Sequence, residues 1–297
     1  RDAISYFNDA YKTGGAGADY ALFKKAYSHG LQKDYSKKVA DLKSLISGFP
    51  TSRLIDDAWF EMGKTWVLLN EPQNAIGSYN ALVEKFPNSG YATKAMLNMA
   101  LVYYNIQNVE QATSIYKDVV RQYPKTEEAR TALAALKNIS VEKNKVDEYI
   151  DYTKQVGGMA TLNNSEEDSL TFTAAEKLYM SGNINDSKRY FENYISKFPN
   201  GLNLLTAHYY KADCHLRSNE KDSAISDLRF IVNQHRSNFT EQALVALASL
   251  LFEKKNYAEA LEYYYDLLEQ GELKENLSAA KVGIMRCQYN LENAGAS

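Results

Sequence analysis

The sequence predicts an all-α protein, an α-solenoid of antiparallel helical hairpins wound as a right-handed superhelix. An aromatic residue followed by proline recurs at Phe49-Pro50, Phe86-Pro87, Tyr123-Pro124 and Phe198-Pro199. The spacings are 37, 37 and 75 residues, and self-similarity at such a period is typical of stacked helical repeats. The chain also has 23 tyrosines against 15 glycines and 5 prolines, which favours aromatic-packed helices over turn-rich strands.

Composition sets the class of protein and excludes several functions. With 45% hydrophobic and 24% charged residues, the 297-residue chain has the profile of a folded protein. A formal charge of −3 supplies no basic field for phosphate contacts, so no nucleic-acid partner is predicted. No apolar run approaches the roughly 20 residues that cross a bilayer. Cys214 and Cys287 alone make no disulfide framework.

Residues 17–129 carry the clearest repeats. Aligned on the prolines, one repeat has its large, small and aromatic residues at Trp59, Met62, Gly63, Trp66, Ala75, Tyr79, Leu82 and Pro87. The next repeat has matching residues at Met96, Met99, Ala100, Tyr103, Ala112, Tyr116, Val119 and Pro124. Small residues let two helix backbones approach, and a large neighbour fills the space beside them. The pattern predicts hairpins that bury their apolar faces on their neighbours.

The remaining stretches match this repeat pattern less closely. Residues 1–16 are expected to form the second helix of a truncated repeat, and 277–297 the first helix of another truncated repeat or a cap. Residues 130–170 lack the proline and predict an atypical repeat followed by a loop of about ten residues. Either a hinge between two halves or a plain surface loop fits this stretch. Repeats resume over 171–276, giving about seven in all with half-repeats at both ends.

These matched positions resemble the tetratricopeptide repeat (TPR) pattern. The phrase F-P-N-S-G-Y-A-T-K-A at 86–95 is further similar to TPR proteins of the Gram-negative cell envelope. Those include the outer-membrane assembly lipoproteins, the Tol–Pal coordinator and multi-repeat proteins of Bacteroidetes. The resemblance implies a non-catalytic adaptor in the periplasm or at the outer membrane, associated with protein complexes there. A cytoplasmic location is the alternative.

The TPR resemblance also implies which residues bind a partner. In TPR hairpins the first helix lines a concave groove, and the residues after its packing positions point into that groove. By this correspondence the groove residues are Tyr20, Phe23, Tyr27, Phe60, Lys64, Leu101, Tyr104, Asn105, Phe172, Tyr179, Tyr209, Asp213, Arg217 and Phe252. Half-exposed aromatic rings are common anchors for proteins and peptides. Phe60 and Lys64 occupy two positions of the TPR clamp that grips chaperone tails, which disfavours that activity.

The sequence offers little support for catalysis, metal binding or a cofactor. His208 and His215 are seven residues apart, about 10 Å along a helix, too far to share one metal ion, so packing is the favoured role. The acidic groups Asp56-Asp57 and Glu166-Glu167-Asp168 precede or begin predicted helices, where carboxylates cap free N–H groups. No phosphate-binding glycine loop or hydrolase motif is present.

Three functions therefore compete. The first is a non-catalytic scaffold, a fragment of a larger bacterial envelope protein, that binds a protein or peptide along its groove. The second is a glycan-binding or carbohydrate-active helical protein, because aromatic rings also stack on sugars and paired carboxylates can cleave them. The third is a structural segment whose groove is filled by its own parent chain or by a second copy.

Overall fold

The computed structural model describes residues 2–295. Arg1 and residues 296–297, at the tips of the two predicted terminal half-repeats, lie outside the described residues. Over the described range the chain forms sixteen α-helices and one 3₁₀ helix, with no strand. Consecutive helices pack against one another within residues 2–142 and again within residues 164–295. This is the α-solenoid that the sequence predicts.

Two compact units contain these helices. The first holds the residues up to Lys145 together with Tyr152–Thr161, and the second holds Val146–Asp151 and the residues from Leu162 onward. The helices of the first unit are α1 (Asp2–Thr13), α2 (Ala18–Leu31), α3 (Tyr35–Gly48), α4 (Ile55–Leu68), α5 (Pro72–Lys85), α6 (Ala92–Asn105), α7 (Val109–Gln122) and α8 (Glu127–Glu142).

The helix α9 (Val146–Val156) contributes residues to both units, and a 3₁₀ helix, Gly158–Ala160, follows it. The helices of the second unit are α10 (Asn164–Met180), α11 (Ile184–Lys197), α12 (Leu204–Arg217), α13 (Lys221–Val232), α14 (Thr240–Glu253), α15 (Tyr257–Gln270) and α16 (Lys274–Gly295).

A left-handed residue closes the first helix of each hairpin from α2–α3 to α14–α15. These residues recur every 36 to 38 positions, at Lys33, Asn70, Gln107, Asn144, Gly182, Asn219 and Lys255. At Asn70, where φ is 58°, the amide of Glu71 donates to Trp66 O at 2.9 Å, which satisfies a free carbonyl at the end of α4. The turn between α8 and α9 follows the same rule although its repeat lacks the proline.

Phe86 and Pro87 form the joint between two hairpins. Helix α5 ends at Lys85, and the amide of Phe86 donates to Leu82 O at 2.8 Å. Proline cannot continue the helix because it has no N–H and its ring clashes with the preceding turn. The chain then turns, with Ser89 N donating to Phe86 O at 2.9 Å, and α6 begins at Ala92.

Close packing of α4 on α5 depends on Gly63. A Cβ built at Gly63 would lie 2.5 Å from Cε1 of Tyr79, nearer than real contacts allow. Tyr79 itself is 1% exposed. The Tyr79 ring therefore fills the space that the glycine leaves, as the repeat pattern predicts.

The segment between α9 and α10 is shorter than the expected loop of about ten residues. It spans 157–163, and its middle forms the 3₁₀ helix. Helix α10 begins at Asn164 because Asn163 and Glu166 make a capping box, in which each side chain accepts a hydrogen bond from the other's backbone N–H. Glu166 therefore has the capping role expected from the sequence.

Candidate binding groove

A cavity of about 400 Å³ opens between α4, α5 and α6 of the first unit. We call this feature the α4–α6 groove; its lining residues are Phe60, Lys64, Val67, Leu68, Tyr79, Asn98, Leu101, Val102 and Asn105. Four of the predicted groove residues, Phe60, Lys64, Leu101 and Asn105, meet there. Leu101 is 49% exposed and supplies the most accessible apolar surface of α6 in the cavity.

Stacked aromatic rings form one wall of the groove. The ring of Phe60 stacks on Tyr91, with centroids 4.9 Å apart, and lies 6.1 Å from the ring of Tyr79. A hydrogen bond with Asp57 is the main cause of the raised pKa of Tyr91. Phe60 is half-buried, so its position is fixed by its neighbours while part of the side chain still lines the cavity.

The charge of Lys64 is neutralised within its own helix. Its Nζ lies 2.7 Å from Oε1 of Glu61, whose other oxygen is 2.6 Å from Nζ of Lys38. Burial alone would raise the pKa of Glu61, but the hydrogen bonds from the two lysines outweigh burial and lower it. The Lys64 ammonium also lies 5.6 Å from the centroid of Phe60. The groove therefore carries little net charge, and its polar groups are mainly the amides of Asn98 and Asn105.

Tyr104 lies on α6 outside the lining of the groove. Its hydroxyl donates to the carboxylate of Glu142, and this bond is the main cause of its raised pKa. The ring is half-buried. Tyr104 therefore connects α6 to α8, and this contact leaves only part of its side chain available to a partner.

The predicted residues on α2 occupy different environments. Tyr20 and Tyr27 are 53% and 51% exposed, and the Lys24 ammonium lies 5.2 Å and 5.9 Å from their ring centroids. Phe23 is half-buried against the core formed by α2, α3 and α4. The two tyrosines thus present rings at the surface, whereas Phe23 mainly packs.

The expectation for Phe172 is wrong. Phe172 is 6% exposed and belongs to a core cluster, where its centroid lies 6.1 Å from Phe191 and 5.4 Å from Tyr194. Two large rings on α11 draw Phe172 into the α10–α11 contact, because burying three aromatic side chains together removes the most apolar surface from water. Phe172 is not available to a partner.

Tyr179 and Asp213 interact directly in the second unit. The Tyr179 hydroxyl donates to Oδ2 of Asp213 at 2.9 Å, and its ring stacks on Tyr210 with centroids 4.3 Å apart. Burial, followed by this hydrogen bond, raises the pKa of Tyr179. The same Asp213 oxygen lies 3.7 Å from the exposed Arg217. These three predicted residues form one polar cluster on α10 and α12.

Tyr209 and Phe252 also pack on neighbouring rings. Tyr209 stacks on Phe239 with centroids 4.6 Å apart, and Phe252 meets Tyr257 edge-on at 5.2 Å. Both are partly buried against the core of α12 to α16. The first contact joins α12 to the residue that precedes α14, and the second joins α14 to α15, so each ring offers only part of its surface to a partner.

Leu68, Asn98 and Val102 also line the groove, although the sequence pattern did not predict them. Asn98 lies three residues before Leu101 and seven before Asn105. Residues at that spacing share one face of a helix. Helical periodicity applied to Leu101 and Asn105 therefore predicts that Asn98 lies on the same face of α6.

Both histidines of α12 make polar contacts, and His208 also packs, as the sequence predicts. Nδ1 of His208 lies 2.8 Å from Oδ1 of Asp227, and the imidazole stacks on Phe230 with centroids 3.8 Å apart. Nδ1 of His215 lies 2.6 Å from Oε2 of Glu220. Within residues 2–295, no group of three or more His, Cys, Asp or Glu side chains could hold a metal ion.

The carboxylates near the helix starts are engaged in structural bonds. Asp56 accepts from the Ser89 hydroxyl at 2.6 Å. Asp168 differs from the capping role expected for it, because it is 5% exposed and accepts from the Tyr194 hydroxyl at 2.6 Å and from Leu202 N at 2.9 Å. None of the described helices is both long enough and apolar enough to cross a membrane.

The fold and the groove together define a helical-repeat protein with a cleft between the first helices of consecutive hairpins. Residues 20–52, 57–89 and 94–126 each match the family model of the tetratricopeptide repeat. These three segments are TPR repeats; they contain all of α3, α5 and α7, and all but the first two residues of α2, α4 and α6. No curated protein matches the chain significantly.

The chain is similar to several solved structures at low sequence identity. The chain is similar to the complex of Naa15 and Naa10 bound to HypK, with a TM-score of 0.55, 13% identity, and coverage of 90% of this chain and 39% of that one. A TPR protein of Parabacteroides merdae gives a TM-score of 0.43 at 16% identity, covering 91% of this chain and all of that one. The TPR2AB–Hsp90 complex of yeast Sti1 gives 0.44 at 13% identity, covering 93% and 99%.

Proposed function

We propose that the chain is a non-catalytic scaffold that binds a peptide or protein partner in the α4–α6 groove. The observation that carries this proposal is the open cavity of about 400 Å³ that brings Phe60, Lys64, Leu101 and Asn105 together. Its walls are apolar and its rim has two amides, which suits an apolar side chain on a backbone that needs hydrogen bonds. Burying one such side chain contributes about 2 kcal/mol.

Charge supports an apolar anchor over an acidic one. Lys64 is the lining residue with a positive charge, and Glu61 neutralises it at 2.7 Å. A partner carboxylate would have to displace Glu61 from Lys64, and surface ion pairs contribute only about 0–1 kcal/mol. This agrees with the sequence argument against a carboxylate-gripping groove.

A displayed library of random peptides tests the groove. We expect selected peptides to carry an apolar anchor and to lose at least about tenfold in affinity when Leu101→Asp places a charge in the groove. Leu101 is half-exposed, so the variant should keep its fold, as circular dichroism can check. Leu31→Asp is the matched control, because Leu31 is 72% exposed on α2 and does not line the groove. Equal binding to both variants and the parent protein would reject the proposal.

We also propose that the protein works in the bacterial cell envelope, in the periplasm or at the outer membrane, in association with protein complexes. The support is the phrase F-P-N-S-G-Y-A-T-K-A, which is similar to that of envelope TPR proteins. Fractionation of cells that express the tagged natural gene tests this location. Recovery in the periplasmic or outer-membrane fraction is expected, and recovery in the cytosol alone would contradict it.

A further inference from the structure

Both tryptophans of the chain, Trp59 and Trp66, lie along one side of α4 in a second cavity. This cavity has a volume of about 370 Å³ and is lined by α3, α4 and α5. The two indoles are seven residues apart, about two helical turns or 10 Å. They are half-buried, so their rings are held by the core while part of each side chain remains accessible. This face of α4 is separate from the one that carries Phe60 and Lys64.

A lysine lies over each indole. Nζ of Lys43 is 5.2 Å from the Trp66 ring centroid, and Nζ of Lys85 is 5.5 Å from that of Trp59. In the described part of the chain, neither ammonium forms an ion pair with a carboxylate. Asp56 shares a small hollow with Lys85, but its carboxylate accepts from Ser89. The two lysines therefore provide positive charge that the protein leaves uncompensated.

Helix α5 supplies a polar rim and an open notch. Gln73 and Gly77 are four residues apart, and both are exposed where they line the cavity. A Cβ built at Gly77 meets no atom within 4 Å, so the glycine leaves open space beside the indoles. Asn74 is exposed beside them, and its amide nitrogen donates to Glu71 at 3.3 Å.

This combination fits a sugar better than a peptide side chain. The indole cavity differs from the α4–α6 groove because amides and ammonium groups surround two flat indole rings. A pyranose presents an apolar C–H face to such a ring, and its hydroxyls point outward to amides and lysines. The uncompensated lysines favour a saccharide that carries carboxylate or sulfate groups.

We propose that Trp59, Trp66, Lys43, Lys85 and the Gly77 notch form a binding site for an acidic oligosaccharide. This site is independent of the α4–α6 groove, and it binds without cleaving. The ligand places one sugar face against an indole and an anionic group beside Lys43 or Lys85.

Tryptophan fluorescence reports on this site alone, because the chain has no other tryptophan. The probes are tetragalacturonate and a heparin tetrasaccharide, with maltotetraose and tetraglutamate as neutral-sugar and acidic-peptide comparisons. We expect a saturable change in emission with at least one acidic saccharide and weaker responses to both comparisons. A blank result with both acidic saccharides would overturn the proposal, and so would tetraglutamate binding as tightly as the saccharides.

Gly77→Leu gives the sharpest variant, because it fills the notch without removing either fluorophore. Its backbone is helical and its surroundings are open, so the protein should fold. We expect binding to be lost, whereas Gly48→Leu, at an equally open glycine outside the cavity, should bind normally. Lys43→Gln should weaken binding up to about fivefold, the range of one exposed charge pair. Unchanged binding in Gly77→Leu would overturn the site.

Leu101→Asp separates this site from the proposed peptide groove. The variant should keep full saccharide binding while losing the library-selected peptides. Conversely, Gly77→Leu should keep the peptides and lose the saccharide. If Leu101→Asp abolished the fluorescence response, the saccharide would occupy the α4–α6 groove and the proposal would be rejected.

Discussion

The Ser89 hydroxyl donates a 2.6 Å hydrogen bond to Asp56, which begins the preceding hairpin 33 residues earlier. One repeat before, Ser52 makes the same bond to Asp19 at 2.5 Å, also 33 residues apart. Each serine oxygen in turn accepts a backbone N–H two residues on, from Tyr91 at 3.0 Å and from Leu54 at 3.2 Å. The serine of the joint therefore ties the start of one hairpin to the start of the next.

Ser89→Ala should lower the free energy of unfolding by about 1 kcal/mol, because it leaves the Asp56 carboxylate and the Tyr91 amide without a partner. Urea denaturation followed by circular dichroism measures the change. Ser44→Ala is the matched control, since its exposed hydroxyl donates only to the helix carbonyl of Ala40 at 2.9 Å. An equal effect of the two substitutions would show that the joint bond contributes nothing specific.

Gly63→Ala should destabilise the first unit by about 1–3 kcal/mol, because its Cβ would overlap the Tyr79 ring and force the two helices apart. The built Cβ lies within 2.5 to 2.8 Å of three atoms of that ring. The control is Gly77→Ala on α5, where nothing lies within 4 Å. There alanine should be neutral or stabilise by up to about 1 kcal/mol, since it is the better helix former. Thermal unfolding that ranked the two variants in the opposite order would contradict the packing argument.

Local sequence rules predicted the repeat frame and part of the groove. Gly63 could be assigned to a helix crossing because its neighbours recur at fixed spacing, and Phe60 and Leu101 follow from the same register. Lys33 and Gln107 could not be recognised as left-handed turn residues, because neither type favours that conformation. The exposure of Phe172 was predicted wrongly. Its burial depends on the aromatic rings of α11, and the residue pattern within one helix carries no information about such tertiary contacts.

Asp227→Asn should destabilise the second unit by about 1–3 kcal/mol, because a neutral amide interacts more weakly than the buried carboxylate with the His208 and Lys211 side chains. Asp227 is 4% exposed and lies 2.8 Å from Nδ1 of His208 and 3.5 Å from Nζ of Lys211. Asp213→Asn is the control on the same helix pair, since the Asp213 side chain is 38% exposed. Urea denaturation measures both variants, and equal stability of Asp227→Asn and the parent protein would show that the buried contacts are dispensable.

Glu61 should make the first unit sensitive to acid. Burial opposes its charge, but hydrogen bonds from Lys38 and Lys64 lower its pKa below the ordinary 4.5 in the folded protein. A carboxyl whose pKa is lower when folded stabilises the fold at pH values above its unfolded pKa, and that contribution is lost as the pH falls through the folded value. The stability difference between the parent protein and Glu61→Gln should therefore be constant near neutral pH and shrink as the pH falls below about 4.5.

Urea denaturation over a pH series measures this difference, and Glu84→Gln, at an exposed glutamate of α5, is the control. A difference that stayed constant down to pH values where all carboxyls are protonated would show that the Lys38–Glu61–Lys64 contacts do not stabilise the fold through charge.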